Sequence, residues 1–476
     1  MSTDVTFVVF GATGHLARTK LLPALAKVVA SGDLAKHGVI GVGSRERDPE
    51  DFRKLVADSL DTARVDPETT AKFMAGAFSY AAVSDRASFG DLHGTVVDLE
   101  TSNELTGNRV VYLAIPPTKL DETIEGISAC GLGTAPGWVR LVVEKPFGVD
   151  LASAETSNGI IHKTFDETQV YRIDHFLGKE TVRNLLIFRF ANSLFEQTWN
   201  RRHIQSVEIT VAEDGGLDGR AAYFNESGTV RDMVQNHLTQ IMTLIAMEPP
   251  VRMNASSIHV EKVKVLSSIR PIAHNEAVLG QYGAGTINGN PVIGYLEEPD
   301  IPDGSLTPTF AALRLHIDNW RWQGVPFYLR TGKRMSSRAT EITVRYLRPP
   351  VCLFHTEYEC AGHQNVLTLR LQPGEGFELL IDVKEPGDDT NIGQIPLAVS
   401  YDDVINSAPD AYETLLEDVI EGDQTLFVTS DEVEAAWSLY EPLLHRTDIH
   451  AYAAGTDGPE SAKGLITTYP GVWSVV

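Results

Sequence analysis

The stretch Val5-Thr-Phe-Val-Val-Phe10-Gly11-Ala-Thr-Gly14-His-Leu-Ala-Arg-Thr-Lys20 decides the fold. Its first six residues are all β-branched or aromatic, the pattern of a buried strand. Glycines follow at once at 11 and 14, and apolar residues then recur at Leu21, Leu22, Leu25, Val28 and Val29 as one face of a helix. In that order, strand, glycine turn and helix let backbone approach a pyrophosphate while a helix N-terminus faces it. The spacing is GxxGxxA, which taken alone also fits a plain tight turn. Its place directly after a strand favours a dinucleotide, with Gly11, Ala12, Thr13, Gly14, His15 and Leu16 as contacts.

Outward from this turn, Gly38-Val-Ile-Gly-Val-Gly43 reads as a second strand ending in Ser44-Arg-Glu-Arg47. An NAD site usually offers a carboxylate to the ribose hydroxyls here, whereas a 2′-phosphate wants a hydroxyl and an arginine. Ser44 and Arg45 fit NADP better; a polar turn is the alternative, and Glu46 keeps NAD open. A helical stretch is expected from about Asp51 to Phe78, followed by strands at Arg109–Ile115 and Trp138–Val143. Pro116-Pro117 ends the first of these, and Glu144-Lys-Pro-Phe-Gly148 ends the second, because proline cannot continue a central ladder. Ligands of a doubly wound sheet sit beyond the carboxyl ends of its strands. Gly11, Ser44, Ile115 with Pro116, Lys145 and Asp174 are therefore expected to look into one crevice. For Lys145 the alternative is a solvated strand end.

From Thr198 the pattern changes to alternating strands such as Ile204–Glu213, typical of antiparallel sheet. Phe310–Trp320 and Asn365–Leu371 read the same way, and 283–308, rich in Gly, Pro and Asp, reads as a long loop. The expectation is a dinucleotide-binding domain over 1–177 and a domain for substrate and oligomerisation over 178–476. The fold class is α/β, a Rossmann-like doubly wound parallel sheet, followed by an α+β domain with a large, mainly antiparallel sheet.

The 476 residues allow two or three domains, and 43% hydrophobic with 22% charged is ordinary globular composition. No apolar run reaches the ~20 residues that span a bilayer, and Met1-Ser-Thr-Asp4 opens no recognisable signal or transit peptide. Cys130, Cys352 and Cys360 are odd in number and lack metal-type spacing, so reduced thiols, no metal and a cytoplasmic location are expected. A formal charge of −24 argues against nucleic-acid or anionic-membrane partners. Residues 382–434 hold fifteen Asp or Glu against one basic residue, Lys384, and read as a solvated acidic surface. An anionic substrate then needs a local basic cluster, for which Lys145, His175, Lys179, Lys333 and Arg338 are the candidates.

Chemistry concentrates in Tyr171-Arg-Ile-Asp-His-Phe-Leu-Gly-Lys-Glu180, where Asp174, His175 and Lys179 are residues a core avoids burying unpaired. Gly178 and Lys179 are expected to open a helix beside a seat for an anion; a capped, solvated junction is the alternative. Ser227–Glu248 reads as one helix ending before Pro249-Pro250, with Met233, His237, Ile241 and Ile245 on one i+4 stripe. On that pattern alone His237 fits a core histidine.

Arg172-Ile-Asp-His-Phe-Leu-Gly-Lys-Glu180 resembles the signature of the glucose-6-phosphate dehydrogenases, with Phe176 where that family usually has tyrosine. The Glu144–Gly148 motif and Asp232-Met-Val-Gln-Asn-His237 resemble other family segments, and similar stretches follow in order along nearly the whole chain. The resemblance implies an oxidoreductase acting on a CH-OH group in the first step of the oxidative pentose phosphate pathway, with D-glucose 6-phosphate oxidised at C1 and hydride passed to NADP. It implies His237 as general base, held in one tautomer by Asp174. His175 and Lys179 are implied for the phosphate, and Lys145 for both the sugar and the nicotinamide side. Glu213, Asp232, Lys333 and Arg338 are implied for the sugar or phosphate, although Leu329–Arg338 also fits a basic surface turn. A homodimer or homotetramer is expected.

Several positions depart from the family pattern. His15 stands where an aspartate is common, Ser44 where an arginine is usual, and Asp457 where a turn has tryptophan. Some members hold a second, structural dinucleotide in the large sheet, which the acidic 382–434 segment argues against here. The alternatives left open are a dehydrogenase of another sugar and a catalytically silent dinucleotide-binding regulator.

Overall fold

The computed structural model describes residues 3–32, 34–217, 219–351, 353, 362–387, 392–401, 410–468 and 471–474. Cys352 and Cys360 lie outside the described residues. The chain packs as two units. One is Met1–Glu180 with Pro250–His259 and Pro409–Glu434, and the other is Thr181–Pro249 with Val260–Ala408 and Ala435–Val476. The functional division at 177/178 stays a proposal; the packing units differ from it in being discontinuous.

In the first unit, β1 (Thr3–Phe10) is buried from Val5 to Phe10, on both faces. A strand of that kind needs helices above and below, the condition under which parallel sheets form. The helices are α1 (Leu22–Ala30), α2 (Pro49–Thr62), α3 (Pro67–Met74), α4 (Ser88–Ser102), α5 (Leu120–Cys130) and α6 (Leu151–Ile161). The other strands are β2 (Leu34–Gly43), β3 (Ala77–Ala82), β4 (Arg109–Leu113), β5 (Val139–Glu144) and β6 (Val170–Ile173). Their order is β3-β2-β1-β4-β5-β6 with every neighbour parallel, the doubly wound arrangement.

The stretch expected to be helical from Asp51 to Phe78 is instead two helices and the start of β3. Asp66 ends the run: its side chain accepts from the Glu68 and Thr69 N–H groups, and Pro67 takes the first helical position of α3. Part of the acidic segment also departs from expectation. The helix Ala411–Glu421 buries Tyr412, Leu415, Leu416 and Val419 in the core beside α1. Glu413 pairs with Lys27 of α1 at 2.6 Å, and Asp410, which caps the helix, with Lys20 just before α1 at 3.1 Å.

The second unit is built on β7 (Ile204–Ala212), β8 (Ala277–Gly283), β9 (Gly285–Ile287), β10 (Asn290–Val292), β11 (Phe310–His316) and β12 (Pro326–Gly332). It continues through β13 (Ala339–Tyr346), β14 (Val366–Gln372), β15 (Gly376–Lys384), β16 (Ile392–Ser400) and β17 (Ile449–Ala453). Nine of these form one sheet in the order β16-β15-β14-β13-β7-β12-β11-β8-β17. Only the β7–β12 and β8–β17 pairs are parallel.

Residues 283–308 are not the long loop expected. β9 and β10 make a hairpin around Asn288-Gly289, both with positive φ, the turn that Asn-Gly favours. Tyr295 then plugs the core and donates its hydroxyl to Asn225 at 3.0 Å. Among the described residues no helix is long and apolar enough to cross a membrane.

Candidate active site

Three strand ends meet at Gly11. Its N–H donates to the Val42 carbonyl at 2.8 Å, its φ is +76°, and a Cβ there would lie 2.1 Å from the Ala114 oxygen. Only glycine fits such a turn. Gly14 donates to the Gly11 carbonyl at 2.8 Å and completes it. A cavity of about 480 Å³ opens over these ends, lined by Gly11, Thr13, Gly14, Ser44, Ile115 and Pro116 among the expected contacts. Bare backbone at the glycines and a lining from the ends of β1, β2 and β4 suit a dinucleotide. Ala12 is buried, while Leu16, His15 and Arg45 fall outside the lining, the last two exposed. Lys145 and Asp174, expected in the same crevice, are not part of it either. Ser84, Asp85 and Lys119 line the cavity and were not foreseen. The first two follow β3, the strand whose start the expected helix covered.

At the end of β5, Glu144 accepts the Tyr112 hydroxyl at 2.5 Å, and the Lys145–Pro146 peptide that follows is cis. Asp174 follows β6 and is fully buried. Its Oδ1 accepts the Phe176 N–H at 3.0 Å and its carbonyl accepts the Leu177 N–H at 2.9 Å, winding residues 174–178 into a tight loop. The Phe176 ring lies 5.1 Å from the His175 ring and carries the Lys179 ammonium 3.9 Å from its centroid. Without a hydroxyl, it acts as a platform that holds the ammonium through its π face. A Cβ on Gly178 would meet the Ala411 carbonyl and Leu415 at 2.7 Å, so this glycine serves close packing against the helix Ala411–Glu421. The helix expected to open at Gly178 and Lys179 begins at Glu180.

In the second unit the expected single helix is broken. Gly228, at φ 63° and ψ 171°, kinks the chain within Ala221–Thr229 just ahead of Val230–Leu238, and the Ser227 hydroxyl donates back to the Tyr223 and Phe224 carbonyls at 3.2 and 3.4 Å instead of opening the helix. Val230–Leu238 is a π-helix, continued by the α-helix Thr239–Ala246. Asp232 and His237 are five residues apart. At about 3.6 residues per turn they would diverge by about 140°, whereas i→i+5 bonding brings them towards one side. Two side chains reinforce that register. Asn236 donates to the Arg231 carbonyl at 3.1 Å and Thr239 to the Val234 carbonyl at 2.6 Å, each five residues back.

The far end of this helix is tied down as well. Arg189 donates to the Leu244 and Met247 carbonyls at 2.7 and 2.9 Å, Trp199 to Ile245 at 2.9 Å and Trp322 to Ala246 at 2.7 Å. These terminal carbonyls would otherwise lack partners. His237, 1% exposed, is thus carried by a helix fixed along its length.

Lys333 is buried, its Nζ 2.6 Å from Glu213 Oε2 and 5.2 Å from the Phe224 ring centroid. The surface-turn reading therefore fails for Lys333, while Arg338 is exposed. A small pocket joins Asp232 and Lys333 with Leu217, Arg220, Tyr223 and Phe224. Sequence reasoning missed Arg220, Tyr223 and Phe224, whose one signal is a cation beside two aromatic residues before a helix break. Asp457, where the family turn has tryptophan, accepts the Ser336 hydroxyl.

Two family models match the chain: "Glucose-6-phosphate dehydrogenase, NAD binding domain" over residues 8–184 and "Glucose-6-phosphate dehydrogenase, C-terminal domain" over 186–474. The glucose-6-phosphate 1-dehydrogenase of Dickeya dadantii is 43% identical over 487 residues, covering 98% of this chain and 97% of that protein. The enzyme of the same name from Treponema pallidum is 41% identical over 480 residues, covering 96% and 93%. Among solved structures, glucose-6-phosphate 1-dehydrogenase from Mycobacterium avium superposes with TM-score 0.85 at 31% identity, covering 99% of each chain. A glucose-6-phosphate dehydrogenase in complex with glucose-6-phosphate gives TM-score 0.90 at 32% identity over 100% of this chain and 99% of that one. Matched along its whole length in sequence and in fold, the chain belongs to the glucose-6-phosphate dehydrogenase family.

Proposed function

We propose that the chain oxidises D-glucose 6-phosphate at C1 to 6-phospho-D-glucono-1,5-lactone and passes the hydride to NADP. The observation that carries this reading is the full-length likeness to a dehydrogenase whose structure is described as a complex with glucose-6-phosphate. The bound nicotinamide supplies the hydride acceptor. His237 takes the C1 hydroxyl proton, a task suited to a group that titrates near neutral pH. Asp174 keeps the imidazole in one tautomer and stabilises its charged form. His175 and Lys179 take the phosphate, so that binding energy far from C1 orients the reacting end. Glu213, Asp232, Lys333 and Arg338 contact the sugar hydroxyls or the phosphate, and Lys145 both sugar and nicotinamide.

NADP is favoured over NAD because Ser44 lines the cleft and Arg45 follows it, with no carboxylate before Glu46. The test is steady-state kcat/KM with glucose 6-phosphate and with glucose, each with NADP and NAD, before and after Arg45→Ala. We expect preference for the phosphorylated sugar and for NADP, and a fall in the NADP/NAD ratio in the variant. An unaltered ratio removes Arg45 from cofactor selection. Equal use of glucose removes the phosphate seat.

We also propose a homodimer or homotetramer. β16 is an edge strand that exposes Ile395, Leu397 and Val399 on one face, 43%, 50% and 40% accessible. An apolar row exposed on an edge strand of the described residues calls for a cover. A cytoplasmic location remains part of this reading, supported by the free thiol of Cys130.

A further inference from the structure

Glu144 ends β5 on the face where Val142 joins the core with Tyr112, Tyr171 and Ile173. An apolar side chain would continue that face without the desolvation cost of a carboxylate. Glu144 instead accepts the Tyr112 hydroxyl from β4, and Tyr412, on the helix Ala411–Glu421, faces the same carboxyl. The strand ladder sets Glu144 opposite Ile173, the residue before Asp174, and Lys145 follows Glu144 in the chain. One carboxyl group, held by another strand and faced by a helix, therefore sits where two residues of the proposed site leave the sheet.

We propose that Glu144 is a positioning residue that, held by Tyr112 and faced by Tyr412, fixes the direction in which Lys145 leaves β5 and sets its carboxyl group beside that lysine. This rests on the reading of Lys145 as a substrate and cofactor contact. The groups that face Glu144 are Tyr112, Tyr412, Lys145 and Asp174. Burial pushes the Glu144 carboxyl up, against the tyrosine hydroxyls and Lys145, while Asp174 adds to the rise. A carboxyl raised in the folded state stabilises most below its unfolded value, and that contribution is lost as pH rises through the folded value. The ionised form of Glu144 thus works against stability. A glutamine there should leave the fold no weaker, whereas a residue retained only for folding would weaken it when lost.

The test uses the full chain as parent, Glu144→Gln, Lys145→Ala and the double variant, with Tyr412→Phe as a milder perturbation of the groups that face Glu144. We expect Glu144→Gln to lower kcat/KM for glucose 6-phosphate by about tenfold in the parent and by less than about twofold in the Lys145→Ala background. Its Tm at pH 7 should not fall, and Tyr412→Phe should move kcat/KM the same way by less. An undiminished kcat/KM in Glu144→Gln, or equal fold-losses in both backgrounds with Lys145→Ala itself impaired, overturns the positioning role alone. A fully active Lys145→Ala overturns the reading of Lys145 and this proposal with it.

Discussion

His237 is a buried histidine on a helix whose last carbonyls are all held by side chains, so its imidazole has little freedom to relax elsewhere. His237→Asn keeps size and polarity but cannot take a proton. We expect kcat to fall by at least ~100-fold, the lower end for a lost general base. Near-parent turnover in a stopped-flow or steady-state assay would take His237 out of the proton transfer. Lys179 poses a different question because the Phe176 ring already holds it. Lys179→Ala should mainly raise KM for glucose 6-phosphate, and an unchanged KM puts the phosphate elsewhere. Both residues were legible in sequence through the segments that contain them. The platform formed by Phe176 was not, since a missing hydroxyl says nothing about what the ring then does.

The helix Val230–Leu238 shows how an element can depart from its own pattern. Met233, His237, Ile241 and Ile245 satisfy an i+4 stripe, so the sequence reads as α-helix, yet the first half adopts i→i+5 bonding. Side chains fill the difference: the Thr239 hydroxyl reaches the Val234 carbonyl and lies 2.9 Å from the Tyr440 hydroxyl. Thr239→Val retains the shape and removes that bond. We expect kcat to drop by about tenfold, because a shift of about 1 Å at His237, the proposed base, would cost that much or more. Full activity in the variant would show that the backbone alone sets the register. The same lesson holds at Asp66-Pro67, where a cap cut the helix expected to run to Phe78, and at Asn288-Gly289, where a hairpin signal stood inside a presumed loop.

Across the whole molecule the formal charge is −24, yet β16, an edge strand of the large sheet, exposes an apolar row among the described residues. Charge of one sign keeps copies apart in general, and an uncharged stripe is where they can meet. Leu397→Asp puts a carboxylate in the middle of that stripe. We expect sedimentation velocity to show a smaller assembly than for the parent at equal concentration. An unchanged sedimentation coefficient places the interface on another surface.

The sequence by itself determined the doubly wound sheet, through strands whose ends are written locally in glycine and proline, and it determined the family, through a nearly unbroken signature. Tertiary structure alone decided that Glu213 grips Lys333, that Arg220, Tyr223 and Phe224 stand around Asp232, and that residues 411–421 return to pack on Gly178. The reason is physical. Periodicity and turn chemistry report what a residue does with neighbours a few places away, whereas these contacts join chain segments whose pairing is chosen by burial and shape.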